Sequence, residues 1–429
     1  MKKYLSSRYN IVAERCGRHY VWNTLSGAVA VLDDEIERRL FSDEIDLLQD
    51  SVIQELAQNY IVIPDGFDEY EYVLKRARGI LTEGTPTDLH VVIAPTLRCN
   101  YHCEYCFESK RTSFSDMERS IAEETWRFVK EKIEGNCKLG CFHVTWFGGE
   151  PLLRLDIIRW LSSHFIEMCE SRDVIYRASL ITNGRYLDAD AVDVLIKDRI
   201  KRTQISLDGT EGLYCQVKHA SKSDYYATIS NVERAVQKGL PIVLRINIRN
   251  NDFSSAYKLA DLFLGEMSLD GMIKLYPAFV SEGDVAGRKS LYADFVIGEK
   301  RFAQYIFDRY SRKSYYNKLS FAHGVACSLS CENNFCIGPK GELYKCEHHF
   351  GRENFIVGDI FSNNRARFAQ EYEHVCYSSM QKETCKNCPI FPICLGGCPN
   401  SNLLGEENFD CKSFVGHLID CQLRKVESQ

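Results

Sequence analysis

Three cysteines stand close together in Pro95-Thr-Leu-Arg-Cys99-Asn-Tyr-His-Cys103-Glu-Tyr-Cys106, a C-x3-C-x2-C spacing. Three thiolates on one loop suffice for three irons of a [4Fe-4S] cluster, leaving the fourth iron open to a small molecule. Zinc would need a fourth ligand, and His102, the nearest, would crowd the loop. A second cysteine field lies downstream. Cys385-x2-Cys388-x5-Cys394-x3-Cys398 is preceded by Cys331-x9-Gly341-x4-Cys346 and followed by Cys411. Zinc held by C-x2-C pairs is the simplest alternative for that field taken alone.

The chain has 429 residues and 19 cysteines, an odd number that suits no closed disulfide set. Met1 to Asn10 is polar, with no signal-peptide core, so reduced thiols in the cytoplasm are expected. The 53 basic and 59 acidic residues give a net charge of −6. That balance argues against nucleic acid, which requires clustered Lys and Arg. No apolar run approaches the ~20 residues of a membrane span.

The elements that must position the thiols divide the chain in three. Residues 1–85 read as short strands (Tyr9–Glu14, His19–Leu32), two helices (Asp34–Phe41, Asp43–Asn59), a strand at Ile61–Ile63 and a linking helix from Asp68 to Leu81. This order suggests a winged-helix-like module. Residues 86–300 alternate strand and helix. Leu89–Ala94, His143–Phe147, Arg177–Thr182, Gln204–Leu207, Ile242–Asn247 and Met272–Tyr276 read as six buried strands. Between them lie helices at Ser115–Glu134, Leu155–Glu170, Asp188–Lys197, Tyr226–Lys238 and Ser254–Met267. Repeated strand–helix units imply a parallel sheet, here an α/β partial (β/α)6 TIM-type barrel. Its chemistry is expected at the carboxyl ends of the strands, where the cysteine loop falls. Residues 301–429 open with a helix (Arg301–Tyr310) and continue as a cysteine-rich domain whose folding depends on metal.

On the C-x3-C-x2-C loop with Tyr105 as its aromatic residue, residues 90–300 resemble the radical S-adenosylmethionine (SAM) enzymes. The resemblance implies a cluster at Cys99, Cys103 and Cys106 whose open iron is chelated by SAM, which is cleaved to a 5′-deoxyadenosyl radical. It assigns SAM contacts to Gly148, Gly149 and Glu150 after the second strand, with the Glu150 carboxylate set against the methionine ammonium. Asn183, Ser206, Asp208, Arg245 and Asn247 follow as contacts at the ends of later strands. Relatives often carry a His-Asp pair and an Arg soon after Asp-Gly; here those positions read Tyr214, Cys215 and Lys218.

The downstream field resembles the SPASM extension of the same family. That resemblance implies two auxiliary [4Fe-4S] clusters, hence three in all. Cys327, Cys331, Cys346 and Cys398 would hold the first; Cys385, Cys388, Cys394 and Cys411 the second. Cys336 and Cys421 are rival ligands, and Cys376 has no partner in the pattern. SPASM enzymes mostly act on peptides. The expected function is therefore oxidative maturation of a ribosomally made precursor, forming a thioether or carbon crosslink. The precursor's leader would bind the N-terminal module, and a flavodoxin or ferredoxin would supply electrons in an oxygen-sensitive cytoplasmic enzyme. Two alternatives are an anaerobic sulfatase-maturating enzyme, which makes formylglycine from Cys or Ser, and a non-catalytic iron-sulfur electron carrier. Glu347, just after Cys346, is the candidate general base; sulfatase-maturing relatives carry Asp there.

Overall fold

The computed structural model describes residues 4–15, 17–42, 44–83, 87–106, 108, 111, 113–280, 285–316, 334–362, 378, 380–398 and 400. These fall into two compact units: residues up to Glu83 together with those from 378 onward, and residues 87–316 together with 334–362. The cysteine field is thus shared between the units.

In the first unit, β1 (Tyr4–Ser6) pairs antiparallel with β5 (Val62–Pro64). β2 (Asn10–Arg15), β3 (Arg18–Asn23) and β4 (Val29–Leu32) form a three-stranded antiparallel sheet. The expected strand His19–Leu32 is therefore two strands. Asn23 makes the break: its Oδ1 accepts from the N–H groups of Leu25 and Ser26, turning the chain. The expected helix Asp43–Asn59 is also divided, into a 3₁₀ turn at Ile45–Leu47 and a helix at Asp50–Gln58, because Leu48 is extended. The helix Glu69–Glu83 follows. Tyr70, Val73, Leu74 and Ala77 on it share a core with Met380 and Phe391. The Tyr70 hydroxyl donates to the Met380 carbonyl at 3.0 Å, and Thr24 donates to the Pro389 carbonyl. The N-terminal module and the Cys385–Cys394 turns therefore share one apolar core.

In the second unit, six parallel strands run in sequence order: β6 (Asp88–Ile93), β7 (Cys141–Trp146), β8 (Ile175–Thr182), β9 (Ile200–Leu207), β10 (Ile242–Ile248) and β11 (Lys274–Phe279). Helices Arg119–Glu134, Leu155–Glu170, Ala189–Lys197 and Lys222–Gln237 intervene, their apolar stripes buried against one face of the strands. The barrel order matches the sequence reading. Past β6 the sheet gains β12 (Asn334–Ile337), parallel to β6, which forms with β13 (Glu342–Tyr344) a hairpin around Gly341, as the Cys331-x9-Gly341-x4-Cys346 spacing suggests, and then β14 (Gly358–Asp359). The expected helix Ser254–Met267 is α-helical only to Ala260 and then widens into a π turn at Asp261–Glu266. There the Asp261 carboxylate accepts from the hydroxyls of Tyr305 (2.5 Å) and Tyr310 (2.7 Å). The expected helix Arg301–Tyr310 begins earlier, spanning Val285–Arg309.

Candidate active site

The site collects at the carboxyl ends of the barrel strands. The Cys99–Cys106 loop leaves β6 there. Inside it the Cys106 N–H donates to the Cys103 carbonyl at 3.0 Å, and the Tyr101 N–H points to Cys99 Sγ at 3.5 Å. Burial pushes the Cys99 thiol up to about 11 and raises that of Cys103 as well. Iron must therefore displace protons to bind, as is usual for thiol ligands.

Gly148 and Gly149 follow β7 and lie against the backbone that leads into this loop. The Gly149 N–H donates to the Thr96 carbonyl and the Glu150 N–H to the Arg98 carbonyl, at 3.1 and 2.8 Å. A Cβ on Gly148, whose φ is +112°, would stand 2.3 Å from the Thr96 carbonyl oxygen; one on Gly149 would stand 2.1 Å from that of Arg98. The glycines are required so that the second strand end can clasp the thiol loop. Glu150 is fully buried. Its Oε1 accepts from Leu152 N–H (3.0 Å) and the Thr182 hydroxyl (2.7 Å), its Oε2 from Asn183 N–H (2.8 Å). Burial raises its pKa despite these bonds. Glu150 thus joins the ends of β7 and β8. Asn183 continues the join, with its Nδ2 2.8 Å from Asn100 Oδ1 and 3.9 Å from Cys99 Sγ.

A second network lies beside the loop. Asp208, after β9, is fully buried and forms an ion pair with Lys218 at 2.9 Å. Asn247 Nδ2 donates to Asp208 Oδ1 (2.9 Å) and to the Tyr105 hydroxyl (2.8 Å), while Arg245 Nε donates to Asn247 Oδ1 at 3.0 Å. Ser206 stands beside Arg245 in register and is half-buried. Burial alone would push the Asp208 carboxyl up, but Lys218, Tyr105 and Asn247 more than offset it and hold it below its ordinary value. Burial alone would push the Lys218 ammonium down; Asp208, then Tyr105 and Cys103, raise it, so it stays charged. The ammonium lies over the rings of Tyr214 and Tyr101, 5.3 and 5.7 Å from their centroids. The segment in which Tyr214, Cys215 and Lys218 depart from the relatives' pattern is a helix, Glu211–Lys218. Lys218 was missed as a site residue. Its signal was the i, i+3, i+4 stripe it completes with Tyr214 and Val217, all three buried.

In this unit Glu347 occupies a 3₁₀ turn after β13, half-buried, beside Cys346. Cys336, the rival ligand, packs in an apolar cluster with Ala94, Leu97 and Tyr344. In the other unit, Cys385 and Cys394 stand on two short helical turns and Cys388 lies between them, its N–H donating to the Cys385 carbonyl at 3.1 Å. Cys398 follows them. Cys327, Cys331, Cys376, Cys411 and Cys421 lie outside the described residues.

A parallel six-stranded sheet carrying a three-thiol loop, clasped by two glycines at its carboxyl edge, defines a class of iron-sulfur barrel enzyme. Residues 93–260 match the Radical SAM superfamily model. The serine-type anaerobic sulfatase-maturating enzyme of Klebsiella aerogenes is 25% identical over 367 residues, 78% of this chain and 86% of that protein. The solved structure of native anSMEcpe with bound AdoMet and Cp18Cys peptide superposes with a TM-score of 0.58 at 18% identity, over 80% of this chain and 98% of that one. Streptococcus suis SuiB bound to precursor peptide SuiA gives a TM-score of 0.55 at 16% identity, over 94% of this chain and 97% of that one. Among the described residues no helix is long and apolar enough to cross a membrane.

The donor set fits the family's cofactors. Three thiols on one loop, held by Gly148, Gly149 and Asn183, suit a cluster with one open iron. The buried Asp208–Lys218 pair braces Tyr105 from behind.

Proposed function

We propose that this enzyme matures a ribosomally made peptide by oxidative crosslinking. The carrying observation is a radical SAM barrel accompanied by a three-stranded sheet whose edge strands β2 and β4 each pair on one side only, among the described residues. An unpaired edge accepts an extended peptide as an added strand. Val31 on β4 is 56% exposed, so that edge offers apolar contact as well as backbone. The likeness to SuiB, whose solved complex holds a precursor peptide, spans 94% of this chain against 80% for anSMEcpe. Cys99, Cys103 and Cys106 would hold a cluster which, with SAM bound, would supply radical chemistry able to take hydrogen from an unactivated carbon. This chain's residues orient the loop, keep Asp208 charged and shield the site. Cys327, Cys331, Cys346 and Cys398 would hold one auxiliary cluster and Cys385, Cys388, Cys394 and Cys411 another, and such clusters would supply one-electron oxidation. Glu347 would take the accompanying proton.

Anaerobic incubation with SAM, dithionite and a synthetic precursor from a neighbouring short reading frame is expected to give 5′-deoxyadenosine and a peptide lighter by a pair of hydrogens. Absence of 5′-deoxyadenosine would remove the enzymatic reading. The sequence likeness over 367 residues favours a second reading, formylglycine formation. A hydrazide probe separates the two, because an aldehyde reacts and a crosslink does not. Glu347→Gln is expected to lower product formation by about 10²-fold or more while 5′-deoxyadenosine persists. Undiminished product would exclude Glu347 as the base.

Deletion of residues 1–83 does not isolate leader binding, because Tyr70 and Leu74 cover Phe391 in the unit that carries Cys385, Cys388 and Cys394. Substituting Val31 on the sheet edge leaves that core intact.

A further inference from the structure

The barrel sheet carries another group of donor side chains at the opposite end of β6. Asp88 and His90 are two residues apart on one strand and so project from one face. It is the face opposite Leu89, Val91 and Ile93, which are buried in the barrel core. In the parallel register His143 of β7 stands directly beside His90. Two positions on one strand and one across the ladder bring the three side chains together. The imidazole rings lie face to face, with centroids 4.2 Å apart and planes 4° apart. Asp88 Oδ1 is 3.9 Å from His143 Nε2. One ligand atom from each of the three residues lies within 4.8 Å of the other two.

We infer that Asp88, His90 and His143 form a binding site for a divalent transition ion of the zinc type. Two imidazoles and a carboxylate are a borderline-soft donor set that suits zinc better than calcium or magnesium, which prefer all-oxygen shells. Ligation needs neutral imidazole with a free lone pair. Three protein ligands leave a coordination position for water. Arg177, next to His143 in the β8 register, opposes the cation and sets an upper limit on affinity.

The site is separate from the thiol loop. Four residue steps separate His90 from Ala94, which is about 13 Å at the usual rise. An ion there would tie β6 to β7 at their amino ends, where the Gly140 and Cys141 N–H groups already donate to the Thr87 carbonyl at 2.8 and 3.0 Å. Its role is that of a clamp on the barrel and involves no radical step.

The test uses the full-length, anaerobically reconstituted enzyme, exposed to Zn²⁺ and then desalted, with zinc and iron measured on the same sample. His90→Ala and His143→Ala are each expected to lose about one zinc per chain relative to the unmodified enzyme, with iron unchanged. X-ray absorption on the lost equivalent should show nitrogen and oxygen neighbours. Equal zinc in the unmodified enzyme and the double histidine variant, or a shell of sulfur alone, overturns the site. Should a histidine variant lose iron as well, Asp88→Asn and Arg177→Gln decide the matter. The first should weaken zinc retention and the second strengthen it; shifts in one direction, or none, overturn the proposal.

Discussion

Replacing Lys218 by methionine is expected to destabilise the barrel unit by about 3–5 kcal/mol, the cost typical of stripping a buried ion pair of one partner. Methionine fills most of the lysine's volume, so the loss is electrostatic and leaves little cavity. Asp208 would be left fully buried, with Asn247 and Tyr105 as its remaining neighbours. Either the carboxylate pays the desolvation cost or it takes up a proton. Both outcomes loosen Tyr105, which lies one residue from Cys106. Reduced iron at the three-thiol site and a lower denaturant midpoint under anaerobic conditions are the expected readouts. The sign of the pH dependence follows from the directions of the shifts. Asp208 is depressed, so its contribution is present above the ordinary carboxylate value and is lost as pH falls through the folded one. Lys218 is raised, so its contribution is complete below the ordinary lysine value and is lost only as pH rises through the folded one. Between those limits the pair contributes in full. In Lys218→Met the burial of Asp208 acts unopposed and raises its pKa, so the deficit against the unmodified protein should shrink on acidification. Asp208→Asn combined with Lys218→Met should recover much of the loss, since no lone charge remains. An additive double variant would show that the pair is not coupled.

The parts of the site legible in the sequence were those in which chemistry and spacing lie within one short segment. Cys99, Cys103 and Cys106 are close enough to state a ligand set, and Gly148-Gly149-Glu150 ends a strand whose alternation is plain. Strand order was legible too, because each βα unit is local and has one favoured hand. What escaped was nonlocal. β12 pairs with β6 across more than two hundred residues, and nothing in Asn334–Ile337 specifies its partner. The shared core of Tyr70, Met380 and Phe391 joins residues 310 or more apart, with no periodicity linking them. Glu150 shows how a residue can be located without its contacts. Its position at the strand end was evident, but its three donors, Leu152, Thr182 and Asn183, depend on where β8 ends beside it. Lys218 was obscured for the opposite reason. Its apolar stripe was visible, but lysine is so seldom fully buried that the residue type argued against the pattern.

Gly149→Ala should empty the three-thiol site while sparing much of the fold. The added Cβ would lie 2.1 Å from the Arg98 carbonyl oxygen and 2.5 Å from its carbon. Both are backbone atoms, so no side-chain rotation relieves the clash. The Glu150 N–H already holds that same carbonyl at 2.8 Å, and the next residue is Cys99. Relief therefore requires the segment entering the cysteine loop to move away from β7, taking Cys99 with it. A displacement near 1 Å is enough to spoil a three-point ligand set, for which tolerances are about 0.2 Å. The expected result is loss of about four irons per chain, one cluster's worth, and a fall of about 10²-fold or more in 5′-deoxyadenosine formation. Gly148→Ala should behave alike, for its Cβ meets the Thr96 carbonyl and its φ of +112° also disfavours a side chain. Gly212→Ala is the control. Nothing lies within 4 Å of its Cβ, and its φ is not in the left-handed range, so a gain of about 0.4–1 kcal/mol is expected from the stiffer unfolded chain. Iron analysis and anaerobic unfolding on the three variants separate the cases. If Gly149→Ala keeps its full iron, the clasp between the β7 end and the thiol loop is not what holds the cluster in place.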